Sequence, residues 1–234
     1  MFKKAILIAV ASLIVGCSAN GVKAPLDMKA AVNGLQNYNV AEEKSLKVDG
    51  KELQFITFQK KTETIVVENG EKFKDTLNLH GSGAQWNADY VVTAKHVNFV
   101  ENSAYLCKTG CDLQFVKRKS AGAVPVWRDV VSLEKLTFVG IDKTDTLQNK
   151  SGVDLNIITK TDANSSINIR LVSTPTLGGM SGGPAYGKDG SVVGILTGGV
   201  SMDGANEQAV MVPYEVIKAE WLKFQSTQDK VAVK

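Results

Sequence analysis

Histidine and cysteine are scarce in this 234-residue chain, which holds two of the first, His80 and His96, and three of the second, Cys17, Cys107 and Cys111. A zinc site is hard to assemble from so few nitrogen and sulfur ligands, and no metal or other cofactor is expected. An excess of one charge is lacking as well. The 27 Lys and Arg against 24 Asp and Glu give a formal +3, which drops to +1 once residues 1–16, with Lys3 and Lys4 and no acid, are set aside. That balance offers no basic face to nucleic acid or to an anionic membrane. Nor does any apolar run reach the ~20 residues that a helix needs to cross a bilayer. The run Ala5–Gly16 follows the two lysines and has instead the layout of a secretory signal peptide.

Long helical periodicity is missing from most of what remains. From Glu52 onward the runs ELQFITF, TETIVVENG, DTLNLHGSG, DYVVTA, AYLCK and LQFVK alternate with turns rich in Gly, Asn and Lys, and a second series follows in KLTFVGI, VDLNIIT, SINIRLVST, SVVGILTGG and AVMVP. Short β-rich runs bounded by turn residues read as strands. Two such series with no long helix between them predict an all-β chain of two antiparallel β-barrels or a sandwich. The period changes only at Pro213–Phe224, where Val216, Ile217, Trp221 and Leu222 share one face of a closing C-terminal helix. With 44% hydrophobic residues the chain can bury a sizeable core, as one domain or as two fused barrels. The expected organisation is a signal peptide over 1–16, a tether over 17–50 with a short helix around Met28, Val32 and Leu35, a folded domain over 51–225 with its halves meeting near 120–135, and a tail over 226–234. The folded unit is expected to be a monomer.

Several stretches resemble known families. Ile14-Val15-Gly16-Cys17 resembles the lipobox of bacterial lipoproteins, which implies cleavage before Cys17, its acylation and a membrane anchor; Ser18 after it resembles lipoproteins sent on to an outer membrane. An exported protein meets an oxidising compartment, so Cys107 and Cys111 read as a disulfide across a three-residue turn whose third residue, Gly110, adopts a left-handed conformation cheaply.

Gly178-Gly179-Met180-Ser181-Gly182-Gly183-Pro184 surrounds one serine with glycines, which can hold a hydroxyl exposed on a tight turn and leave amides free to face a substrate oxygen. The segment GMSGGP is similar to the GDSGGP nucleophile loop of trypsin-like (chymotrypsin-fold) serine proteases. By that resemblance Ser181 is the nucleophile, and the amides of Gly179 and Ser181 form the oxyanion hole. Tyr90-Val91-Val92-Thr93-Ala94-Lys95-His96-Val97 resembles the segment carrying the family's catalytic histidine, and it follows His80-Gly81-Ser82-Gly83 as in the family. His96 precedes Ser181, the chain order that the family shows. His80 has no such context and reads as a strand residue.

Two aspartates compete for the third position. Asp112 opens a strand-like run, DLQFVK, as the family's catalytic aspartate does, and Asp129 opens DVVSL. Spacing favours Asp112, because Asp129 stands close before Gly140, in the strand resembling the start of the family's second barrel. The gap between His96 and Asp112 has room for one strand where two are usual, so the first barrel is expected to be trimmed or irregular. The resemblance also supplies walls for a specificity pocket, Thr174–Gly178 and Gly194–Gly199, with Pro175, Leu196, Thr197 and Gly198 lining it. Pro175 stands where trypsin has an aspartate and Leu196 where glutamyl endopeptidases have a histidine, which implies an uncharged pocket for a small or medium uncharged side chain. The whole implies a peptide- or protein-cleaving endopeptidase. An esterase or acyl transferase with the same triad, or a binding lipoprotein on the same fold, is the alternative.

Overall fold

The structure, a computed structural model, describes residues 22–25, 38–68, 71–108, 110–160, 168–201 and 207–232. Cys17 and the stretch around Met28, Val32 and Leu35 lie outside them. The first sheet is built from β1 (Val22–Pro25), β2 (Tyr38–Val48), β3 (Lys51–Glu68), β4 (Glu71–Gln85), β5 (Tyr90–Thr93), β6 (Ser103–Leu106) and β7 (Gln114–Lys117). Its strands run in the order β2-β3-β4-β5-β7-β6, with β1 added to β4. The second unit takes β8 (Lys135–Ile141), β9 (Leu147–Lys160), β10 (Asn168–Val172), β11 (Pro184–Tyr186), β12 (Val192–Ser201) and β13 (Glu207–Pro213), closed as the barrel β10-β13-β12-β11-β8-β9. The helix α1 (Tyr214–Ala232) ends the described chain.

Local chemistry accounts for the long arms of the first sheet. Asp49 and Gly50 both take positive φ, 49° and 80°, and Val48 pairs directly with Lys51. A two-residue turn of that kind matches the right-handed twist of paired strands and starts the hairpin. In β3 the period of two then sorts side chains to opposite faces. Leu53 and Phe55 pack with Val139, Tyr186 and Val192 of the barrel, whereas Ile56 and Phe58 pack with Val91, Ala94 and Val97. One strand thus leans on the second unit with one face and underpins the turn after β5 with the other.

Three boundaries differ from the sequence reading. Residues 38–50, assigned to the tether, form β2 and its turn, because every position of β2 finds a partner on β3. ELQFITF and TETIVV are one continuous 18-residue strand, and α1 runs on through 226–232, assigned to the tail. The barrel strands fall where the sequence runs predicted them, with β11 added. The first unit is an open sheet, and only one strand, β6, separates His96 from Asp112.

The two units meet through the linker and the helix. Trp127 bridges to Val192 and donates its Nε1–H to the Gln85 carbonyl at 3.0 Å. Arg128 grips Glu134 and Asp189 together, and both carboxyls are held below their usual range: for Asp189 the Arg128 hydrogen bond is the leading cause, while for Glu134 burial is the largest influence and raises it, outweighed by the hydrogen bonds from Arg128 and the Val131 and Lys188 amides taken together. From α1, Ile217 and Phe224 are buried in a core that joins Val92, Leu113 and Phe115 of the sheet to Ile195 and Val212 of the barrel. Trp86, Tyr90, Trp127 and Trp221 ring that core. Aromatic pairs such as Phe115–Trp221, with centroids 5.0 Å apart, add specific geometry to the burial.

Candidate active site

His96 lies three residues beyond β5, in a turn fixed from several sides. The Val97 amide donates to the Ala94 carbonyl at 3.1 Å, and the buried Gln114 amide donates to the carbonyls of Ala94 and Val97 at 3.0 and 2.9 Å. Lys95 Nζ reaches the Cys107 carbonyl at 3.0 Å. Asp112 then holds the histidine twice: its Oδ2 is 2.6 Å from His96 Nδ1, and its Oδ1 accepts the His96 backbone amide at 3.0 Å. A carboxylate only accepts, so Nδ1 carries a hydrogen, and in the neutral ring Nε2 keeps its lone pair. Asp129 is exposed, and its described contact is a backbone one, its carbonyl accepting from Arg128 at 2.9 Å. Asp112 is therefore the carboxylate on the His96 ring.

The residue before Asp112 is tied to the end of β6. Cys107 and Cys111 are joined as a disulfide with Cα atoms 5.7 Å apart, both buried, and Gly110 takes φ +87° as its turn position requires. The Cys107 amide donates to the Leu113 carbonyl at 3.1 Å, so the staple brackets Asp112 on both sides. His80 sits apart, its Nε2 3.9 Å from Asp145 Oδ1, and its pKa is lowered by burial against the pull of Asp145 and Asp142.

Ser181 rides on the glycine loop of the barrel. Gly182 takes φ +86°, and a Cβ there would fall 2.0 Å from Thr93 Oγ1, 2.1 Å from the Ser82 carbonyl and 2.9 Å from the Ala94 amide. Only glycine admits that conformation and that approach. The approach sets Ser181 against the turn that carries His96. The loop is further stitched by Ser82 donating its amide to the Ser181 carbonyl at 2.8 Å, by the Gly182 amide on the Leu196 carbonyl at 2.6 Å and by the Leu196 amide on the Gly183 carbonyl at 2.9 Å. The Ser181 side chain makes no hydrogen bond among the described residues.

Gly179 takes φ +98° over the start of the β8–β9 turn, where a Cβ would meet the Asp142 carbonyl carbon and the Ile141 carbonyl oxygen at 2.8 Å. The Gly178 carbonyl accepts the Lys143 amide at 2.8 Å. Because a trans peptide points its C=O and N–H in opposite directions, the Gly179 N–H faces away from that turn. Among the described residues neither it nor the Ser181 amide donates to a protein acceptor. Two free amides beside a serine hydroxyl are what stabilising an oxyanion requires.

Two positioning residues escaped the sequence reading. Ser82, fully buried, donates its hydroxyl to the Gly179 carbonyl at 3.3 Å and accepts the Ile141 amide at 3.0 Å, joining sheet, barrel and loop. Its flanking glycines were the available signal. Asp142 organises the turn beneath Gly179 by accepting Thr144 N and Oγ1, Thr146 N and Gln148 Nε2 at 2.8, 2.6, 3.1 and 2.8 Å. Burial pushes its carboxyl up, but these donors outweigh it and leave the pKa lowered.

The expected pocket residues are not all brought together. Pro175 is exposed, while Thr197, the extra residue of a bulge in β12, donates its hydroxyl to the Val210 carbonyl at 3.3 Å beside Gly198. Leu196 is corrected: at 2% exposure it packs in the barrel core with Met180 and Met211, because it precedes the bulge and keeps the inward phase of β12. A residue absent from the sequence reading stands between the walls instead. Glu207, at the start of β13, accepts the Thr176 hydroxyl at 2.5 Å and the Thr176 amide at 3.3 Å.

No protein-family model matches the chain, and no curated protein matches it by sequence. Solved structures do resemble it in fold. The Rv3671c protease of M. tuberculosis in its active form superposes with a TM-score of 0.53 at 14% identity, over 63% of this chain and 74% of that one. The HtrA-type protease AlgW with a decapeptide superposes with a TM-score of 0.55 at 14% identity, over 72% of this chain, which spans 63% of AlgW. At such identities the likeness establishes the chymotrypsin-like fold of serine proteases.

Proposed function

We propose that the chain is a serine endopeptidase that cleaves peptide bonds through an acyl-enzyme. The carrying observation is the double grip of Asp112 on His96, ring and backbone together, on a turn that the fold sets against the glycine loop of Ser181. His96 Nε2 takes the Ser181 hydroxyl proton as the oxygen attacks the scissile carbonyl and later returns it to the leaving amine. Asp112 keeps the ring in that tautomer and stabilises the imidazolium. The amides of Gly179 and Ser181 receive the oxyanion. In apo structures the nucleophile–base hydrogen bond is often open and closes only around substrate, which accounts for the unbonded Ser181 hydroxyl.

A peptide substrate has a free edge to pair with. Beyond Leu196, whose amide and carbonyl are taken by Gly183 and Gly182, β12 is bonded on one side to β13, and among the described residues its other side is uncovered. An extended chain adds to such an edge, and the neighbouring AlgW structure holds a decapeptide.

The test is labelling by a fluorophosphonate together with peptide turnover. The wild-type protein should label at Ser181 and cleave, and Ser181→Ala or His96→Ala should each lose on the order of a millionfold in turnover. A wild-type protein that neither labels nor cleaves would instead be a binding module on the same fold. The tethering half of the reading rests on the lipobox-like run ending at Cys17. It predicts fatty-acid incorporation that disappears in Cys17→Ser, and incorporation that persists would refute the anchor.

A further inference from the structure

Glu207 brings a carboxylate to the one place where the flanking sequence offers none. It is exposed at the start of β13, yet its side chain is directed: Oε1 takes both the hydroxyl and the amide of Thr176, at 2.5 and 3.3 Å. A Cβ built on Gly199 would fall 2.1 Å from that same oxygen and 2.7 Å from Thr176 Oγ1. The carboxylate therefore lies across the backbone of Gly199 and against Thr176, spanning from one proposed wall of the pocket to the other. Thr176 leads into the Ser181 loop, and Gly199 sits on the β12 edge open to a substrate chain.

Its remaining valence points to a ligand. Among the described residues Glu207 has no Lys, Arg or His within ion-pair distance, although paired carboxylates are common elsewhere in the chain, as in Glu43–Arg118, Glu134–Arg128 and Asp154–Arg170. Oε2 accepts no hydrogen bond there either. A carboxylate anchored by one oxygen, with the other presented and no internal cation, is arranged to receive a cation from outside. Gly198 and Gly199 add no side chain beside it, and among the described residues a Cβ at Gly198 would meet nothing within 4 Å.

We propose that Glu207 is the specificity-determining residue of this site and selects lysine or arginine at the cleaved position. The proposal rests on the endopeptidase reading for its substrate. It replaces the uncharged pocket implied by Pro175 and Leu196, since the charge arrives from β13 rather than from the segment before Ser181. A guanidinium or ammonium entering along Gly198 and Gly199 meets the free oxygen of Glu207, whereas a Glu or Asp side chain meets a like charge.

The experiment separates pocket from catalysis. Benzamidine, an aryl cation, and benzamide, its neutral counterpart, are titrated calorimetrically against the Ser181→Ala protein with and without Glu207→Gln, which needs no turnover. Benzamidine should bind and lose at least about tenfold in affinity on Glu207→Gln, as expected when one partner of a charged hydrogen-bonded pair is neutralised, while benzamide binds equally weakly to both. In the Ser181-containing protein a peptide library should show Lys and Arg at the cleaved position, and the Arg-to-Leu preference should fall at least tenfold with Glu207→Gln at an unchanged unfolding midpoint. Benzamidine that binds the Glu207→Gln protein as tightly as its parent, or that fails to bind the parent, would overturn the proposal, as would a wild-type profile led by apolar residues. Benzamidine bound through Glu207 in a protein that never cleaves would sink the endopeptidase reading and leave the cation pocket standing.

Discussion

The His96 side and the Ser181 side of the site are built by opposite means. On the first, an open sheet lets two short strands and a disulfide hold His96 and Asp112 together, and every partner lies within β5 to β7. On the second, a closed barrel supplies no local ligand for its serine. Instead it presents a glycine loop whose shape is fixed by groups from elsewhere, Ser82 of the sheet, the Leu196 carbonyl and the β8–β9 turn. The histidine side is thus a matter of side-chain chemistry and the serine side a matter of backbone shape. Mutations should reveal that difference: on one side isosteric changes cost rate, on the other a single methyl costs stability.

The largest expected effect is the isosteric one. Asp112→Asn keeps the shape but can donate to Nδ1, which presents the wrong histidine tautomer and should lower turnover by ~10⁴. Asp129→Asn, on an exposed side chain that takes no part in these bonds, should change turnover less than twofold in the same peptide assay. The reverse ranking would move the orienting carboxylate off the His96–Asp112 pair and break the comparison on its first side.

That ranking could be read in part before the fold was known. The glycine-flanked serine, the TAKH segment and the strand run after Asp112 are local signals, since each depends on neighbours in sequence. What stayed hidden depends on contacts across the chain. Ser82 stands between two glycines in β4 and acquires its role only where it meets Gly179 and Ile141. Leu196 was placed on the pocket wall, but it precedes the bulge at Thr197 and keeps the inward phase of β12, and Glu207 was invisible because it reaches Thr176 from a strand 31 residues further along the chain. β2 was read as tether because YNVAEEKSLKV is half polar, as an outer strand with an exposed face can be.

The next effect tests the serine side. Gly182→Ala forces a side chain into φ +86° and drives its Cβ to 2.0 Å from Thr93 Oγ1 and 2.1 Å from the Ser82 carbonyl. Left-handed strain of ~1–2 kcal/mol and overpacking of ~1–3 kcal/mol should together lower stability by about 3 kcal/mol, read as a drop in the urea midpoint with unchanged slope. Gly198→Ala on β12 is the control: its Cβ would meet nothing within 4 Å, and its midpoint should move by less than ~0.5 kcal/mol. Equal losses for the two would mean that the loop tolerates shape change and that the interlock between sheet and barrel is weak.

The smallest effect sharpens the comparison where backbone shape is itself held by a side chain. Asp142 is buried at 8% exposure and accepts four hydrogen bonds that set the turn from which Lys143 holds the Gly178 carbonyl. Its folded-state pKa is lowered: burial opposes ionisation, but the hydroxyl and amide of Thr144, the amide of Thr146 and Gln148 favour it more. A depressed carboxyl contributes stability that is complete above its unfolded pKa of about 4 and is lost as pH falls through the folded value. Asp142→Asn removes the charge while keeping one acceptor, so at pH 6 it should cost about 1.5 kcal/mol, the scale of a hydrogen bond to a charged group. Between pH 6 and pH 3 the wild-type protein should lose this advantage, and the two urea midpoints should converge from below pH 4. A gap that stays constant down to pH 3 would show that the carboxylate charge plays no part in holding the turn, and that Gly179 is shaped by backbone contacts alone.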